Sequence, residues 1–193
     1  MRVGVPQHED ELVVACQKGD ASAADALVDL YWKRLYAFSY RLTLNANDAE
    51  DITQETLLRA LNNIQKYKPE ERFKAWLFRI ATNLFVDQRK GRRSRDVSTD
   101  DVEKFAGPST EQSPAEKLDQ KELLSALQST MLTLSREQQI VVLLRAMEQL
   151  DYPEIAAVLQ TKEATARWHM YEARRILRQK LSRKFDLEAF TDE

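Results

Sequence analysis

The chain has 193 residues, of which 43% are hydrophobic and 31% charged, with four Gly and five Pro. This length accommodates one or two domains, and the scarcity of turn-forming residues favours an all-α protein. No apolar run approaches the ~20 residues of a membrane span, and Met1–Asp10 lacks the apolar core of a signal peptide, so we expect a cytoplasmic protein without membrane insertion. One Cys and two distant His residues predict no disulfide, metal site or cofactor.

The net charge of −2 conceals a strong segregation of charge along the chain. Residues 1–61 hold ten acids against six Lys or Arg, whereas residues 89–95 hold five cations and no acid. Residues 96–119 hold seven acids against two Lys, and residues 161–184 hold eight cations against two Glu. Two basic segments separated by an acidic one indicate two contacts with a polyanion. The alternative is that the basic segments are solvated helix ends, where cations are favoured.

Residues 1–95 are predicted to form a first domain of four helices. The first helix spans Glu9–Lys18 and ends at Gly19, after which Asp20 caps the second. The second helix carries a buried stripe at spacings of three and four: Ala24, Leu27, Val28, Tyr31, Leu35, Phe38 and Leu42. Asn47 or Asp48 is expected to cap the third helix. The fourth helix follows a polar loop at residues 65–71, and its predicted inner face holds Phe73, Leu77, Ile80, Ala81 and Leu84.

The third helix carries an acidic line at spacings of three and four: Asp48, Asp51, Gln54, Glu55 and Arg59. Phosphates would be repelled by this line. It is therefore either a solvated face or a contact for a basic protein partner. No nucleophile lies at a matching spacing and no Gly-rich phosphate loop occurs, so no catalytic residues are predicted.

The fourth helix and the loop before it combine cations with aromatic residues. The loop contains Lys66, Tyr67 and Lys68. The side of the helix opposite its predicted inner face holds Arg79, Thr82, Asn83, Val86 and Lys90, with Phe78 and Phe85 between the two sides and beside Arg89. Cations track phosphates and aromatic faces stack on unpaired bases, which favours a single-stranded or distorted DNA contact. The alternative is that the aromatic rings pack against neighbouring helices.

Residues 96–115 are polar and acidic and contain two of the five prolines, which is typical of an unstructured linker. Residues 116–193 are predicted to form a second domain. Its first helix carries Leu118, Leu123, Leu124, Leu127, Met131 and Leu134. Ser135–Gln138 opens the next helix, Asp151–Glu154 opens a third, and Thr161 opens a fourth. The last two form a helix-turn-helix, the geometry that places side chains against base edges in the major groove.

The last helix presents two different faces. Its predicted inner face holds Ala166, Met170, Ala173, Leu177 and Leu181. The outer face holds Ala164, Trp168, Tyr171, Glu172 and Arg175, flanked by Arg167 and Arg178. Arg can bond a guanine edge bidentately and Glu can accept from cytosine, so this face is a candidate for reading DNA. The alternative is an amphipathic helix that binds a protein partner.

Three motifs, in order along both domains, resemble those of the small extracytoplasmic-function (ECF) sigma factors of bacterial RNA polymerase. Asp48–Thr56 (DAEDITQET) resembles the family's Asp-Ala-Glu-Asp-x-x-Gln-Glu signature. Trp76–Asn83 (WLFRIATN), followed by Asp87 and Arg89, resembles its Trp-Leu-x-x-Ile-Ala-x-Asn…Asp-x-x-Arg helix. Leu150–Ala156 (LDYPEIA) resembles the Leu-Ser-Tyr-x-Glu-Ile-Ala that opens its C-terminal helix-turn-helix.

The resemblance implies a role for each segment. It gives the acidic line of the third helix a docking role on core RNA polymerase. The loop and fourth helix would open promoter DNA and read its −10 element. The residues of the matching segment are Lys66, Tyr67, Arg72, Lys74, Arg79, Asn83 and Arg89. Trp76 lies in the same segment and is expected in the core. The last helix would read the −35 element through Ala164, Arg167, Trp168, Tyr171, Glu172, Arg175 and Arg178. An anti-sigma partner, and a monomeric state when free, are also expected by resemblance.

One departure from the family lies at the start of the last helix. Ala164–His169 (ATARWH) stands where the family often has Gly-Thr-Val-Lys-Ser-Arg. The family's pattern therefore does not predict which −35 sequence this chain reads.

Two other classes of function remain open. A stand-alone helix-turn-helix regulator would bind duplex DNA without polymerase, and a nucleic-acid enzyme would need a metal or nucleophile cluster that the sequence lacks.

Overall fold

The computed structural model describes residues 7–68, 72–93 and 125–182, with side-chain placement from residue 9 and, in the fourth helix, up to residue 88. In these ranges every regular element is a helix, as the composition predicts. The described residues form two compact units, one built around the first four helices and the other around the last four. The predicted acidic linker at residues 96–115 lies outside the described residues.

The described residues of the first unit form four α-helices and one short 3-10 helix. They are α1 (Gln7–Gln17), α2 (Ala21–Thr43), α3 (Ala46–Asn62), the 3-10 turn Ile64–Lys66 and α4 (Phe73–Arg93). The long α2 is central, since it packs against α1, α3 and α4. Five residues of its predicted stripe are buried (Leu27, Tyr31, Leu35, Phe38 and Leu42), and the other two, Ala24 and Val28, are half-buried.

Helix ends in this unit follow from their capping residues. Asp20 caps α2 by accepting hydrogen bonds from the backbone N–H groups of Ser22 (2.9 Å) and Ala23 (3.3 Å). Asn45 caps α3 by accepting from the N–H of Asp48 at 3.0 Å, so the prediction of Asn47 or Asp48 as the cap was wrong. An Asn directly before the first residue of a helix reaches the N–H of the third helical residue, which is the bond that an N-cap makes.

The inner face of α4 differs from the predicted one. Ile80 and Leu84 are only half-buried, whereas Phe78, Thr82 and Phe85 are buried. The physical reason is the shape of the partner helix. Phe78 meets Phe38 of α2 edge to face, with ring centroids 5.0 Å apart. Burying the larger aromatic rings removes more apolar area from water than burying Ile80 and Leu84 would.

The second unit contains α5 (described over 125–131), α6 (Arg136–Ala146), α7 (Tyr152–Leu159) and α8 (Glu163–Ser182). Of the predicted stripe of this segment, Leu134 is buried, Met131 is half-buried and Leu127 is exposed, and Leu118, Leu123 and Leu124 lie outside the described residues. Ala126 and Thr130 are buried on α5 although the stripe did not include them. Ala126 and Thr130 lie one turn apart on the same side of α5. Their side chains are shorter than that of Leu127, which allows α5 to lie closer to the residues that cover it.

Two helix starts in this unit carry reciprocal capping boxes. Ser135 accepts from the N–H of Gln138, whose side chain accepts from the N–H of Ser135. Asp151 and Glu154 make the same pair of bonds, at 3.0 and 2.7 Å. The turn between α7 and α8 passes through Gln160, with a left-handed φ of 53°, and α8 begins at Glu163 rather than at Thr161. This confirms the predicted helix-turn-helix, with its last boundary two residues later.

We expect Asp20→Ala to lower the free energy of unfolding of the first unit by about 1 kcal/mol, because two N–H groups of α2 lose their acceptor. Chemical denaturation followed by circular dichroism measures the change. Asp29→Ala is the matched control, since Asp29 is exposed in the middle of the same helix. Equal losses in the two variants would contradict the capping role.

Candidate nucleic-acid and protein interfaces

One surface of α3 is polar, pre-arranged and open to solvent. We call it the α3 surface; it consists of Asp51, Gln54, Glu55, Leu58 and Arg59. Arg59 donates to Glu55 one turn earlier at 2.6 Å. Gln54 donates to Glu50 at 3.0 Å. Such exposed pairs add little stability, but they hold neighbouring side chains in a defined arrangement.

Leu58 lies within this polar surface with 57% of its area exposed, and the sequence-based prediction missed it. It follows Asp51 by seven residues and Gln54 by four, so all three share one side of the helix. The sequence feature that identifies Leu58 is its spacing, because an apolar residue stands in register with the charged and amide residues of the acidic line. An exposed Leu surrounded by acids suits contact with a protein and not with phosphates.

Asp48, predicted to belong to the acidic line, is 5% exposed. Its Oδ1 lies 3.5 Å from Nε2 of Gln88 in α4. The carboxylate sits in the first turn of α3, where the helix dipole stabilises negative charge. Asp48 therefore packs between two helices and is not displayed with the other residues of the line.

The described residues that follow α3, up to residue 68, are held in place by the packing of an aromatic ring. Tyr67 is 7% exposed, with its ring centroid 5.4 Å from that of Phe73 and 5.5 Å from that of Trp76. Gln17 at the end of α1 donates to the carbonyls of Ile64 (2.9 Å) and Tyr67 (3.2 Å). The structure thus places the ring of Tyr67 in the core, as the packing alternative expects. Its burial makes it an anchor for the loop instead of an exposed stacking face.

Lys66 and Lys68 of the same loop are exposed on either side of this anchor. Lys66 donates to Asn63 at 2.9 Å. Exposed cations next to a backbone that is already held at Ile64 and Tyr67 can meet a phosphate backbone at a lower entropic cost of binding.

The accessible side of α4 mixes an amide, cations and apolar groups. Asn83 is exposed, and Trp76, Ile80 and Leu84 are half-buried beside it. The predicted cations Arg72, Lys74 and Arg79 are half-buried, each with partners within the protein. The side chain of Arg89 lies outside the described residues. Trp76 is therefore part core and part surface, and the turn between Ile80 and Asn83 is the accessible centre of this side.

The outer side of α8 is confirmed as solvent-facing. Ala166, Met170 and Ala173 are buried against the rest of the unit. We call the opposite side the α8 surface; it consists of Ala164, Trp168, Tyr171, Arg175 and Arg178, all exposed. Glu172 is half-buried at its edge and Arg167 is exposed beside it.

Arg167 ties α8 to α7. Its guanidinium lies 4.3 Å from the ring centroid of Tyr152, and it also forms an ion pair with Glu163. Arg145 of α6 approaches the same ring at 5.5 Å. A cation over an aromatic face is attracted by the ring quadrupole. Tyr152 therefore links three helices at the start of the helix-turn-helix.

Arg175 is paired on its own helix. Its Nη2 and Nε lie 2.8 and 3.2 Å from one carboxylate oxygen of Glu172. The hydrogen bond with Glu172 raises the pKa of the already basic guanidinium further. Arg175 is thus an exposed cation on the α8 surface, and two nitrogens of its guanidinium already donate to a neighbouring carboxylate.

Two family models match the chain at the positions of these surfaces. Residues 27–95 match Sigma-70 region 2, and residues 124–177 match Sigma-70, region 4. The first contains α3 and α4, and the second contains the helix-turn-helix. These are two regions of one class of protein, the sigma factors.

Individual relatives define the subfamily. The chain is 36% identical to the ECF RNA polymerase sigma factor SigE of Mycolicibacterium smegmatis over 86% of this chain, and spans 65% of that protein. It is 30% identical to the ECF RNA polymerase sigma-E factor of Salmonella typhimurium, covering 88% of this chain and 92% of that one. The chain belongs to the ECF family of RNA polymerase sigma factors.

A solved structure shares this fold. It contains the sigma factor RpoE in complex with the anti-sigma factor NepR from Bartonella quintana, with a TM-score of 0.67 at 25% identity, covering 84% of this chain and 97% of that one.

Membrane-spanning helices and metal-ligand clusters are both absent from the part of the chain that the structure describes. None of the described helices is long and apolar enough to cross a membrane. Within the described ranges, no group of three or more His, Cys, Asp or Glu residues could hold a metal ion.

The contact between Arg167 and Tyr152 can be measured by a double-mutant cycle. We expect Arg167→Ala and Tyr152→Leu to show a coupling of about 0.5–1 kcal/mol in the free energy of unfolding, since each substitution removes the same cation–ring contact. A cycle that pairs Tyr152→Leu with Arg174→Ala is the control and should give a coupling near zero. Similar couplings in both cycles would argue against a specific contact.

Proposed function

We propose that this sigma factor docks on core RNA polymerase through the α3 surface and places α4 and α8 on the −10 and −35 elements of promoters. It helps to melt the upstream edge of the transcription bubble and makes no covalent bond itself. It works in the cytoplasm, where core polymerase and promoter DNA are found. The free protein is monomeric.

The observation that carries this proposal is the chemistry of the α3 surface. Acids and an exposed Leu58 on one side of a helix are unsuited to DNA, because phosphates are repelled and the apolar side chain gains nothing. The same combination suits a protein partner with a basic rim and an apolar centre. A chain with this surface in one unit and a basic helix-turn-helix in the other needs both a protein and a DNA partner.

The accessible side of α4 is proposed to receive unpaired bases of the −10 element. Asn83 offers an amide that can donate to or accept from a base edge. Half-exposed Trp76, Ile80 and Leu84 offer apolar area beside it. Extruding a base costs a few kcal/mol of stacking, which contacts of this kind must offset. The cations Lys66, Arg72, Lys74, Arg79 and Arg89 are assigned to the phosphates on either side.

The α8 surface is proposed to enter the major groove at the −35 element. A recognition helix contacts base edges mainly through the residues of its N-terminal half. Trp168 and Tyr171 lie in that half, and Arg174, Arg175 and Arg178 follow them. The cations supply the sequence-independent attraction to DNA, and the N-terminal half supplies the selectivity.

An anti-sigma protein is the remaining proposed partner. The solved relative from Bartonella quintana is bound to one. In this chain, Leu58 and Trp168 are exposed on the proposed polymerase and DNA surfaces. A protein that covers such apolar side chains would gain burial energy and block both functions together.

Promoter binding should depend on core polymerase, and a band-shift assay measures this. The probe is a promoter duplex located by transcript mapping after overexpression of the chain. We expect a specific shift with the chain and core together, and none with the chain alone at the same concentration. A stand-alone regulator would shift the duplex without core, and that outcome would overturn the proposal.

Substitution of the α3 surface should weaken docking without unfolding the protein. We expect Asp51→Arg with Gln54→Ala to weaken binding to core polymerase at least about tenfold, or about 1.4 kcal/mol, because a cation would face a basic partner. Leu58→Glu should weaken it as well, through loss of the apolar contact. Fluorescence anisotropy of the labelled chain titrated with core measures the affinity.

The matched control is Asp25→Arg, which makes the same charge change at an exposed position of α2. It should leave the affinity for core unchanged, and circular dichroism should show all variants folded. Normal affinity in the α3 variants would remove the role assigned to this surface.

A further inference from the structure

Two large aromatic side chains lie next to each other on the α8 surface and are exposed to solvent. Trp168 is 56% exposed and Tyr171 is 65% exposed. At 100° per residue they lie about 60° apart around the helix axis, on the side opposite the buried Ala166 and Met170. Folding buries the other large aromatic residues of α4 and α7 to a greater degree. Two neighbouring rings left in water mark a contact surface.

Three of the arginines beside these rings, Arg167, Arg175 and Arg178, have partners within the protein. Arg167 is held by Glu163 and by the ring of Tyr152. Arg175 is held by Glu172, and Arg178 also has a partner. A guanidinium would give up part of these contacts to bond guanine, and this exchange subtracts a small amount from the gain, because exposed pairs add little stability. The Trp168 ring contacts the ring of His169, with centroids 5.0 Å apart, and still has more than half of its area exposed.

The charge around the rings indicates DNA as their occupant. The helix from Glu163 to Ser182 carries five Lys or Arg against two Glu, so a polyanion is attracted to it. In the major groove the base edges carry hydrogen-bonding groups, with one apolar exception, the C5-methyl group of thymine. The thymine methyl group is therefore the base-edge group that an apolar surface can bury in the major groove.

From this geometry we infer that Trp168 and Tyr171 select the promoter's upstream element by burying thymine methyl groups in the major groove. This inference rests on the proposed function, because it assumes that α8 meets duplex DNA. It deepens that function by assigning the selectivity of α8 to apolar contact, with the arginines acting mainly on phosphates. It also gives a role to Trp168, the residue that departs from the family's Ser.

The test uses the holoenzyme, formed from core polymerase and the full chain. Duplexes are first selected by the holoenzyme from a pool randomised over the upstream element. Each thymine of the selected element is then replaced singly by uracil, which removes the methyl group and keeps the base pair. Affinity is measured for the wild type and for Trp168→Ala, Tyr171→Ala and Tyr171→Phe holoenzymes.

We expect at least one thymine whose replacement by uracil weakens wild-type binding about fourfold, the effect of exposing one buried methyl group. The same replacement should have no effect in the Trp168→Ala or the Tyr171→Ala holoenzyme. Tyr171→Phe should behave as the wild type, since the ring makes the contact and not the hydroxyl. Arg174→Ala should weaken binding to all duplexes alike and keep the sensitivity to uracil.

Three results would overturn the inference: a selected element without thymine, uracil replacements without effect, or an unchanged uracil effect in both alanine variants. The last two would assign the rings to something other than DNA, such as a protein partner. Failure of the proposed function looks different, because the holoenzyme would then select no upstream element at all. Circular dichroism of the free variants confirms that they are folded, which their exposed positions lead us to expect.

Discussion

The burial of aromatic rings between α2, α4 and Tyr67, which follows the 3-10 turn, decides which side of α4 remains accessible. Phe38 meets Phe78, and Tyr31 meets Phe73, in edge-to-face contacts with centroids 5.0 and 5.7 Å apart. Once Phe73, Phe78 and Phe85 occupy the core, the helix cannot rotate without exposing them, and large apolar rings are costly to expose. Asn83 and its apolar neighbours are left outward as a consequence.

A similar constraint orients α8 in the other unit. The small residues Ala166 and Ala173 let the helix lie close to its neighbours, and the contact of Arg167 with Tyr152 holds its first turns against α7. The outward side is then determined for the whole helix, because successive turns rotate together. In both units, therefore, the residues that pack create the functional surface by deciding what is left uncovered.

Electrostatics separates the partners of these surfaces. The α3 surface is acidic with one exposed Leu, and the α8 surface is basic with two exposed aromatic rings. Most of these charges are paired along their own helix, as in Glu55 with Arg59 and Glu172 with Arg175. In the proposed function, net charge governs which class of partner is attracted to each surface, and shape and apolar contact supply the selectivity.

By itself the sequence determined the helical class, the α2 stripe, the helix-turn-helix and the acidic character of α3, because these depend on local periodicity, capping and charge. It also located the family motifs. The tertiary structure alone decided that Phe78, Phe85 and Tyr67 are core, that Asp48 is buried and that Leu58 is exposed. Each of these depends on which neighbouring helix covers a side chain. That is a property of packing between segments far apart in the chain, and local periodicity carries no record of it.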